Sequence, residues 1–226
     1  MLFLSFIYFA IPSFLILIQP DMGSVLILFG LWFGYLLISG LPWRYIFAAF
    51  LIFSLLGAFM WTGFLKEYQK DRILGLFNPE RDPLGINYSS IQAKIAVGSA
   101  GIWGKGFGQG TQVQMGFLPE SQTDFIFAAL IEEWGLLGGF LVVIAFLVIF
   151  YRIMRIGVNS ENNFNKLICI GAMMMFLFHF ILNVGSNLGL TPVVGVPFPF
   201  LSYGGSNLLV SALLIGMVQS IVVSRT

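Results

Sequence analysis

The sequence carries little charge, and its single cysteine and single histidine exclude several kinds of protein. Charged residues make up 9% of the 226 residues, whereas soluble domains contain about 25%. One cysteine and one histidine are too few for a disulfide framework or for a zinc site, which needs several such ligands. A net charge of +1 gives no basic surface for nucleic acid. With 58% hydrophobic residues and a mean hydropathy of +0.92, the chain is predicted to be an integral membrane protein.

The few charges are unevenly distributed along the chain. Residues 45–65, 134–151 and 167–224 contain no Asp, Glu, Lys or Arg. A helix needs about 20 apolar residues to cross a hydrocarbon core of about 30 Å, so the last of these runs is long enough for two crossings. Residues 66–82, in contrast, are dense in charge. This segment is expected to lie in water or at the membrane interface.

We predict an all-α polytopic helical bundle with about six transmembrane helices. The apolar runs do not alternate with the period of two that a membrane β-strand requires. The predicted spans are residues 2–18, 23–38, 45–64, 124–150, 167–188 and 206–223. Residues 2–18 lack the positive start and the small-residue cleavage site of a signal peptide, so we interpret them as a span of the mature protein. Residues 1–226 are interpreted as one membrane domain.

The basic residues predict the orientation. The short link 151–166 contains Arg152, Arg155 and Lys166 against Glu161 and is therefore expected in the cytoplasm, together with the C-terminus. With six spans, the large loop 65–122 then lies outside the cell, as does the proline- and glycine-rich segment 189–205. Irregular backbone near a membrane is tolerated where protein or water satisfies it, so we expect the functional site on this outer face.

Asp124 begins the fourth predicted span, and two interpretations of it stay open. Ser121 and Asp124 have the spacing of a capping box, in which the carboxylate accepts hydrogen bonds from the first amides of a helix. Alternatively, Asp124 is a general base that the positive end of the helix keeps ionised.

Glu132 and Glu133 lie farther along the same predicted span. Carboxylates inside a membrane are costly and are functional candidates by default. They are expected either to form a buried ion pair with a basic residue of another span or to bond neighbouring helices. His179, between two phenylalanines, is interpreted as an interhelical hydrogen-bonding residue.

Two segments of the large loop contain candidate residues for binding an anionic ligand. Residues 88–101 are predicted to form a short amphipathic helix at the membrane interface, on which Lys94 either extends toward headgroups or meets an anionic ligand. Residues 104–110 are rich in glycine but match neither the P-loop nor the dinucleotide-binding spacing. We expect a flexible loop there, or a loop whose Lys105 approaches a phosphate.

Ten motifs follow one another along the chain: QPD (19–21), DPLG (82–85), QAKIAVGSAG (92–101), GKG (104–106), GTQ (110–112), FLPE (117–120), TDFIF (123–127), EE (132–133), GVP (195–197) and SYGGS (202–206). Together and in this order they resemble the SEDS family, which includes the RodA, FtsW and SpoVE proteins. The GTQ and GVP motifs look more like the RodA branch than the FtsW branch. Family members have ten spans, so we expect about the first four to be absent from this chain.

The resemblance implies a peptidoglycan glycosyltransferase that polymerises lipid II on the outer face of the bacterial cytoplasmic membrane, in cell elongation and shape maintenance. It maps the catalytic aspartate onto Asp124 and implies a class B penicillin-binding protein, a transpeptidase, as partner in the elongation machinery. Glu120, Ser202 and Tyr203, which lie in matching motifs, are further candidates for substrate binding.

Such a reaction needs a base, charge stabilisation for the departing pyrophosphate and a groove for polyprenyl chains. Asp124 suits the first role. Lys94, Lys105 and Arg81 are candidates for the second. A divalent cation, Mg²⁺ or Mn²⁺, is a candidate cofactor of undetermined identity and ligands. A lipid II flippase and a noncatalytic scaffold remain alternatives, the first because of the acids in the fourth span and the broken segment around residues 192–199.

Overall fold

The computed structural model describes residues 2–63, 65–78 and 82–224. These residues form helices joined by turns, and within these ranges there is no β-strand. The helices are α1 (Leu2–Ile18), α2 (Met22–Ile38), α3 (Trp43–Gly63), α4 (Glu67–Phe77), α5 (Tyr88–Ser99), α6 (Thr111–Gln114), α7 (Ile126–Val158), α8 (Asn163–Leu188) and α9 (Gly205–Val223).

The predicted all-α membrane fold is confirmed. Helices α3, α7, α8 and α9 are long and apolar enough to cross a membrane. Helices α1 and α2 have 17 residues each, at the lower end of the length needed for a crossing. The link predicted at 151–166 is mostly helical, because α7 continues to Val158 and α8 begins at Asn163. The third span was predicted to end at residue 64, which lies outside the described residues.

Helix α8 is the centre of the bundle. It packs against α7, α2, α5 and α9. Glycines on α2 make close contact with α8: a Cβ at Gly30 would collide with Phe178, and one at Gly34 with Met174. Small residues of this kind let membrane helices approach each other. His179, predicted to bond another helix, instead has its Nδ1 2.9 Å from the Met175 carbonyl of its own helix.

Helix α5 lies where the sequence predicted a short helix, and its alanine side faces the rest of the protein. Its buried residues Ala93 and Ala96 pack with Phe125, just before α7, and Ala100, just after α5, packs with Phe127. Ile95, on the opposite side of α5 from Ala93, is 44% exposed. The alanines are small, so α5 lies close to α7 and holds the large loop against the bundle.

The long helix α7 is interrupted at Gly135, whose φ of 74° and ψ of −178° are non-helical. The break leaves backbone groups without helical partners, and the glycine-rich segment 101–106 supplies them. The four hydrogen bonds are Leu136 N to Gly101 O (3.1 Å), Leu137 N to Ile102 O (3.2 Å), Lys105 N to Glu132 O (2.9 Å) and Gly106 N to Glu133 O (3.0 Å). The segment 101–106 is therefore a fixed insert in the α7 break, and it includes residues 104–106 of the expected flexible loop 104–110.

Candidate active site

Asp124 lies in the turn before α7, and its carboxylate is not a helix cap. None of the described residues donates a hydrogen bond to it. The amide of Ala128, in the first turn of α7, instead donates to Oδ1 of Asn187 on α8, at 2.8 Å. The capping interpretation of Asp124 is therefore wrong, because another helix supplies the acceptor.

The backbone of Asp124 is held from α8. The side-chain amides of Asn183 and Asn187 both donate to the Asp124 carbonyl, each at 2.9 Å. The two asparagines are 1% and 0% exposed. They lie one turn apart, so both amides reach the same carbonyl.

The carboxylate of Asp124 lies beside the segment that joins α8 to α9. Its Oδ2 is 3.6 Å from the position that a Cβ would occupy on Gly195. Partial burial and the negative charge of Glu120 raise the pKa of Asp124, and the positive charge of Arg72 partly offsets this rise. Burial and Glu120 therefore affect the pKa of Asp124 more than the predicted stabilisation of its ionised form by the helix end does.

A small cavity of about 20 Å³, room for about one water molecule, separates α4 and α5 from the segment after α8. Arg72 of α4 and Lys94 of α5 both line it. The guanidinium of Arg72 donates to the Val193 carbonyl at 3.2 Å. The side chain of Lys94 packs against Gly189, and a Cβ at Gly189 would collide with it. Two cations thus lie near the same chain segment that Asp124 contacts.

Lys105 is not part of this cationic group. Its ammonium lies 2.7 Å from Oε1 of Glu132, which is fully buried. The Glu132 carboxylate also accepts hydrogen bonds from the Thr111 hydroxyl and from the amides of Gln112 and Val113. The pairing predicted for Glu132 is present, but its partner comes from the large loop and not from another span.

The structure places the remaining candidates individually. Glu133 is only partly buried, because it lies about 100° around the helix from Glu132. Glu120 is exposed, and its Oε2 accepts a hydrogen bond from the Thr123 hydroxyl at 2.9 Å. Tyr203 is 77% exposed. Arg81 lies outside the described residues.

Ser202 has an internal role. It is 7% exposed, and its hydroxyl donates to the Thr123 carbonyl and accepts the amide of Phe198. Both of its hydrogen-bonding functions are occupied, so it joins the segment after α8 to the Asp124 turn and offers little to a substrate.

The sequence reasoning missed Arg72, Asn183 and Asn187. The signal for the asparagines was present, since two amides spaced by four residues in an apolar span must find buried partners. Arg72 had no such signal, because it lies among many charges in residues 66–82. In the part of the chain that the structure describes, no group of three or more His, Cys, Asp or Glu side chains could hold a metal ion.

Comparisons with known proteins find several relatives of this chain. The chain is 40% identical over 210 residues to the peptidoglycan glycosyltransferase MrdB of Escherichia coli, covering 93% of this chain and 57% of that protein. It is 43% identical over 157 residues to the peptidoglycan glycosyltransferase RodA of Treponema pallidum, covering 70% of this chain and 36% of that protein.

A solved structure also matches. It is a peptidoglycan synthase complex that coordinates polymerization and crosslinking, and it aligns with a TM-score of 0.79 and 28% identity over 98% of this chain and 61% of that chain. The model of the cell cycle protein family that covers FtsW, RodA and SpoVE matches residues 1–226. The chain therefore belongs to the FtsW/RodA/SpoVE family of cell cycle proteins.

Proposed function

We propose that this chain is part of a peptidoglycan glycosyltransferase that polymerises lipid II into glycan strands during cell elongation and shape maintenance. Two relatives at 40% and 43% identity carry the name peptidoglycan glycosyltransferase. The chain spans 57% of the first and 36% of the second. Activity of the 226-residue chain by itself is thus part of the proposal.

The observation that carries the proposal is the uncapped carboxylate of Asp124. It is partly buried, has a raised pKa and accepts no hydrogen bond from the described residues. A carboxylate that is already bonded, as in Glu132, would be a weak base, because hydrogen bonds stabilise its ionised form. A raised pKa brings a carboxylate closer to the working pH and so makes it a better base.

The proposed reaction forms one glycosidic bond. Asp124 accepts the proton of the attacking sugar hydroxyl while that oxygen bonds to the anomeric carbon of the second sugar. The bond from this carbon to the diphosphate oxygen breaks, and undecaprenyl diphosphate leaves. Arg72 and Lys94, which line one cavity near the Asp124 segment, stabilise the negative charge that develops on the leaving group.

Lys105 is not assigned to the leaving group, because Glu132 already neutralises its charge. A divalent cation is not assigned a step either, because the described residues offer no group of three or more carboxylate, imidazole or thiolate ligands that could hold one.

We further propose that the protein lies in the bacterial cytoplasmic membrane with loop 65–122 and Asp124 on the outer face and the C-terminus in the cytoplasm. The basic link between α7 and α8 supports this orientation. A class B penicillin-binding protein is the proposed partner, in line with the solved relative, in which polymerization and crosslinking are coordinated.

The test is a reconstitution of the purified chain in liposomes with fluorescently labelled lipid II. Glycan polymer that lysozyme digests is the expected product. Movement of labelled lipid across the bilayer without polymer would instead identify a flippase. Full-length E. coli MrdB is the positive control. If MrdB polymerises lipid II while this chain is folded and gives neither polymer nor lipid movement, the proposed activity is contradicted and the scaffold alternative is favoured.

A further inference from the structure

Two asparagines of α8 make an unusual set of contacts around Asp124. Asn183 and Asn187 are almost completely buried, at 1% and 0% exposed. The second half of α8 around them is largely apolar. A buried amide without hydrogen bonds is costly, so the partners of these side chains show what they are there to hold.

The pair connects three separate pieces of the chain. Asn183 donates to the carbonyls of Asp124 (2.9 Å) and Val196 (2.8 Å). Asn187 donates to the carbonyls of Asp124 (2.9 Å) and Asn183 (2.8 Å) and accepts the amide of Ala128 (2.8 Å). The turn before α7, the first turn of α7 and the segment after α8 are thereby fixed to one another.

The bond from Ala128 to Asn187 has a consequence for Asp124. The first amides of a helix lack helical partners, and a nearby aspartate normally accepts one of them. Here Asn187 is the acceptor, and it comes from a different helix. The Asp124 carboxylate therefore stays out of the first turn and beside Gly195.

We propose that Asn187 and Asn183 are positioning residues for Asp124. Asn187 caps α7 in place of the Asp124 side chain, and both amides hold the Asp124 carbonyl, so that the carboxylate remains uncapped and faces the segment after α8. The inference rests on the proposed function in one respect, that Asp124 is the base.

The charged groups that act on Asp124 are Glu120 in the same turn and Arg72 of α4. Lys94 of α5 lines the neighbouring cavity with Arg72. Glu132 of α7 is paired with Lys105. None of these groups belongs to the asparagine pair, so a change at Asn187 alters the position of Asp124 without removing a charge.

The decisive variant is Asn187→Leu in the 226-residue chain. Without Asn187, the Asp124 carboxylate is expected to turn toward the free amides of α7, where the helix end stabilises its ionised form and lowers its pKa. We expect kcat to fall by about tenfold or more and KM for lipid II to change less than about twofold. The acid limb of the pH profile of kcat should move to lower pH.

A second readout does not need activity. In protein labelled with ¹³C at the aspartate carboxyl, the Asp124 signal is assigned by its loss in Asp124→Asn, and its titration gives the pKa directly. A lower Asp124 pKa in Asn187→Leu supports the proposal, and an unchanged pKa overturns it. If Asp124→Asn retains full polymerisation, the proposed base is wrong, while the titration still decides whether Asn187 controls the carboxylate.

Three further variants separate positioning from general loss of stability. Asn183→Leu leaves the cap on Ala128 in place and should lower kcat without moving the acid limb down. Ser186→Ala, between them, removes a buried hydrogen bond to the Asn183 carbonyl and should leave kcat and the acid limb unchanged. If Asn187→Leu does not fold, Asn187→Gln keeps an uncharged acceptor for the Ala128 amide, and a lower Asp124 pKa in that variant would overturn the proposal.

Discussion

Asp124 and Glu132, which belong to the same short stretch of chain, show how differently two carboxylates can be used. Glu132 is fully buried, pairs with Lys105 and accepts three further hydrogen bonds. Asp124 is partly buried and accepts none from the described residues. The first arrangement stabilises a charge in place, and the second leaves a carboxylate able to take up a proton.

Two substitutions of Asp124 separate a role as general base from a structural role. Asp124→Asn and Asp124→Ala should each reduce lipid II polymerisation by about a thousandfold or more, because neither side chain can accept the proton. The melting temperature of Asp124→Asn should be unchanged or higher at neutral pH, because ionised Asp124 is held where its pKa is raised.

Thermal unfolding for this comparison can be followed through Cys169, the single cysteine, which is 2% exposed. A thiol-reactive fluorophore should label it only on unfolding. Wild-type polymerisation by Asp124→Asn at equal amounts of folded protein would show that the base lies elsewhere.

The pH dependence of kcat should report the two charges nearest to Asp124. Activity is expected to rise with pH as Asp124 loses its proton, with this limb above the ordinary aspartate pKa of about 3.9. Arg72 lowers the pKa and Glu120 raises it. Hence Arg72→Gln should move the limb to higher pH and Glu120→Gln to lower pH. A limb that neither variant moves would argue against Asp124 as its origin.

Lys94 is expected to act through its charge. Lys94→Met keeps the aliphatic stem against Gly189 and should lower kcat/KM for lipid II by about tenfold to a hundredfold, as for loss of one charge-stabilising group. The matched control is Lys70→Met on α4, where the lysine pairs with the exposed Glu67 at 3.1 Å. That variant should have unchanged activity. Equal effects of both changes would remove Lys94 from the proposed site.

Among the helices, α7 is the one whose shape depends most on another part of the chain. Its break at Gly135 exists together with the segment 101–106, which binds the backbone groups on both sides of it. The first half of α7 carries Glu132, and the turn before it carries Asp124. The insert therefore helps to fix the first half of α7 and the turn that carries Asp124. Its Lys105 does not line the cavity that Arg72 and Lys94 line.

The substitution Gly135→Ala, which adds one methyl group, tests whether the α7 break depends on the insert. Gly135→Ala would place a Cβ against the backbone of Ile102 and Gly104, in a conformation of positive φ. We expect a loss of about 2 kcal/mol or more of stability from strain and collision together, read as a lower melting temperature from Cys169 labelling. Gly216→Ala on α9 meets open space and is the control, with little change expected. Equal melting temperatures would mean that the insert does not hold the break.

At the scale of the whole molecule, the large loop is not a separate layer. Helices α4 and α5 and the short α6 lie within residues 65–122, and α5 packs on both α7 and α8. The segment after α8 meets this loop through Arg72 and Lys94 and meets Asp124 through Gly195. The candidate site is thus formed where segments far apart in the sequence come together.

The orientation of the molecule can be tested by labelling from one side. In a Cys169→Ala background, a cysteine at the exposed Gln114 should react with an impermeant thiol reagent on intact spheroplasts, and one at the exposed Asn159 should react only after permeabilisation. The physical reason is the basic link that keeps the α7–α8 turn inside. The reverse labelling pattern would move the proposed site to the cytoplasmic face.

The sequence by itself determined the helices and their environment, because apolar runs and proline or glycine breaks are local features. The first span was predicted at its observed bounds, and the fifth and sixth to within a few residues. It also singled out Asp124, Glu132 and Lys94 as unusual polar residues. Local spacing was misleading at Asp124. The spacing of Ser121 and Asp124 agrees with a capping box, and it agrees equally well with a general base at Asp124.

Only the tertiary structure decided which polar groups are satisfied and which are free. The cap on Ala128 comes from Asn187, and the partner of Glu132 comes from Lys105. Arg72 reaches the segment after α8 across a long stretch of sequence. Hydrogen bonds and ion pairs of this kind depend on distances between remote segments, which no local pattern contains. The same packing that occupies Glu132, Lys105 and Ser202 leaves the carboxylate of Asp124 uncapped.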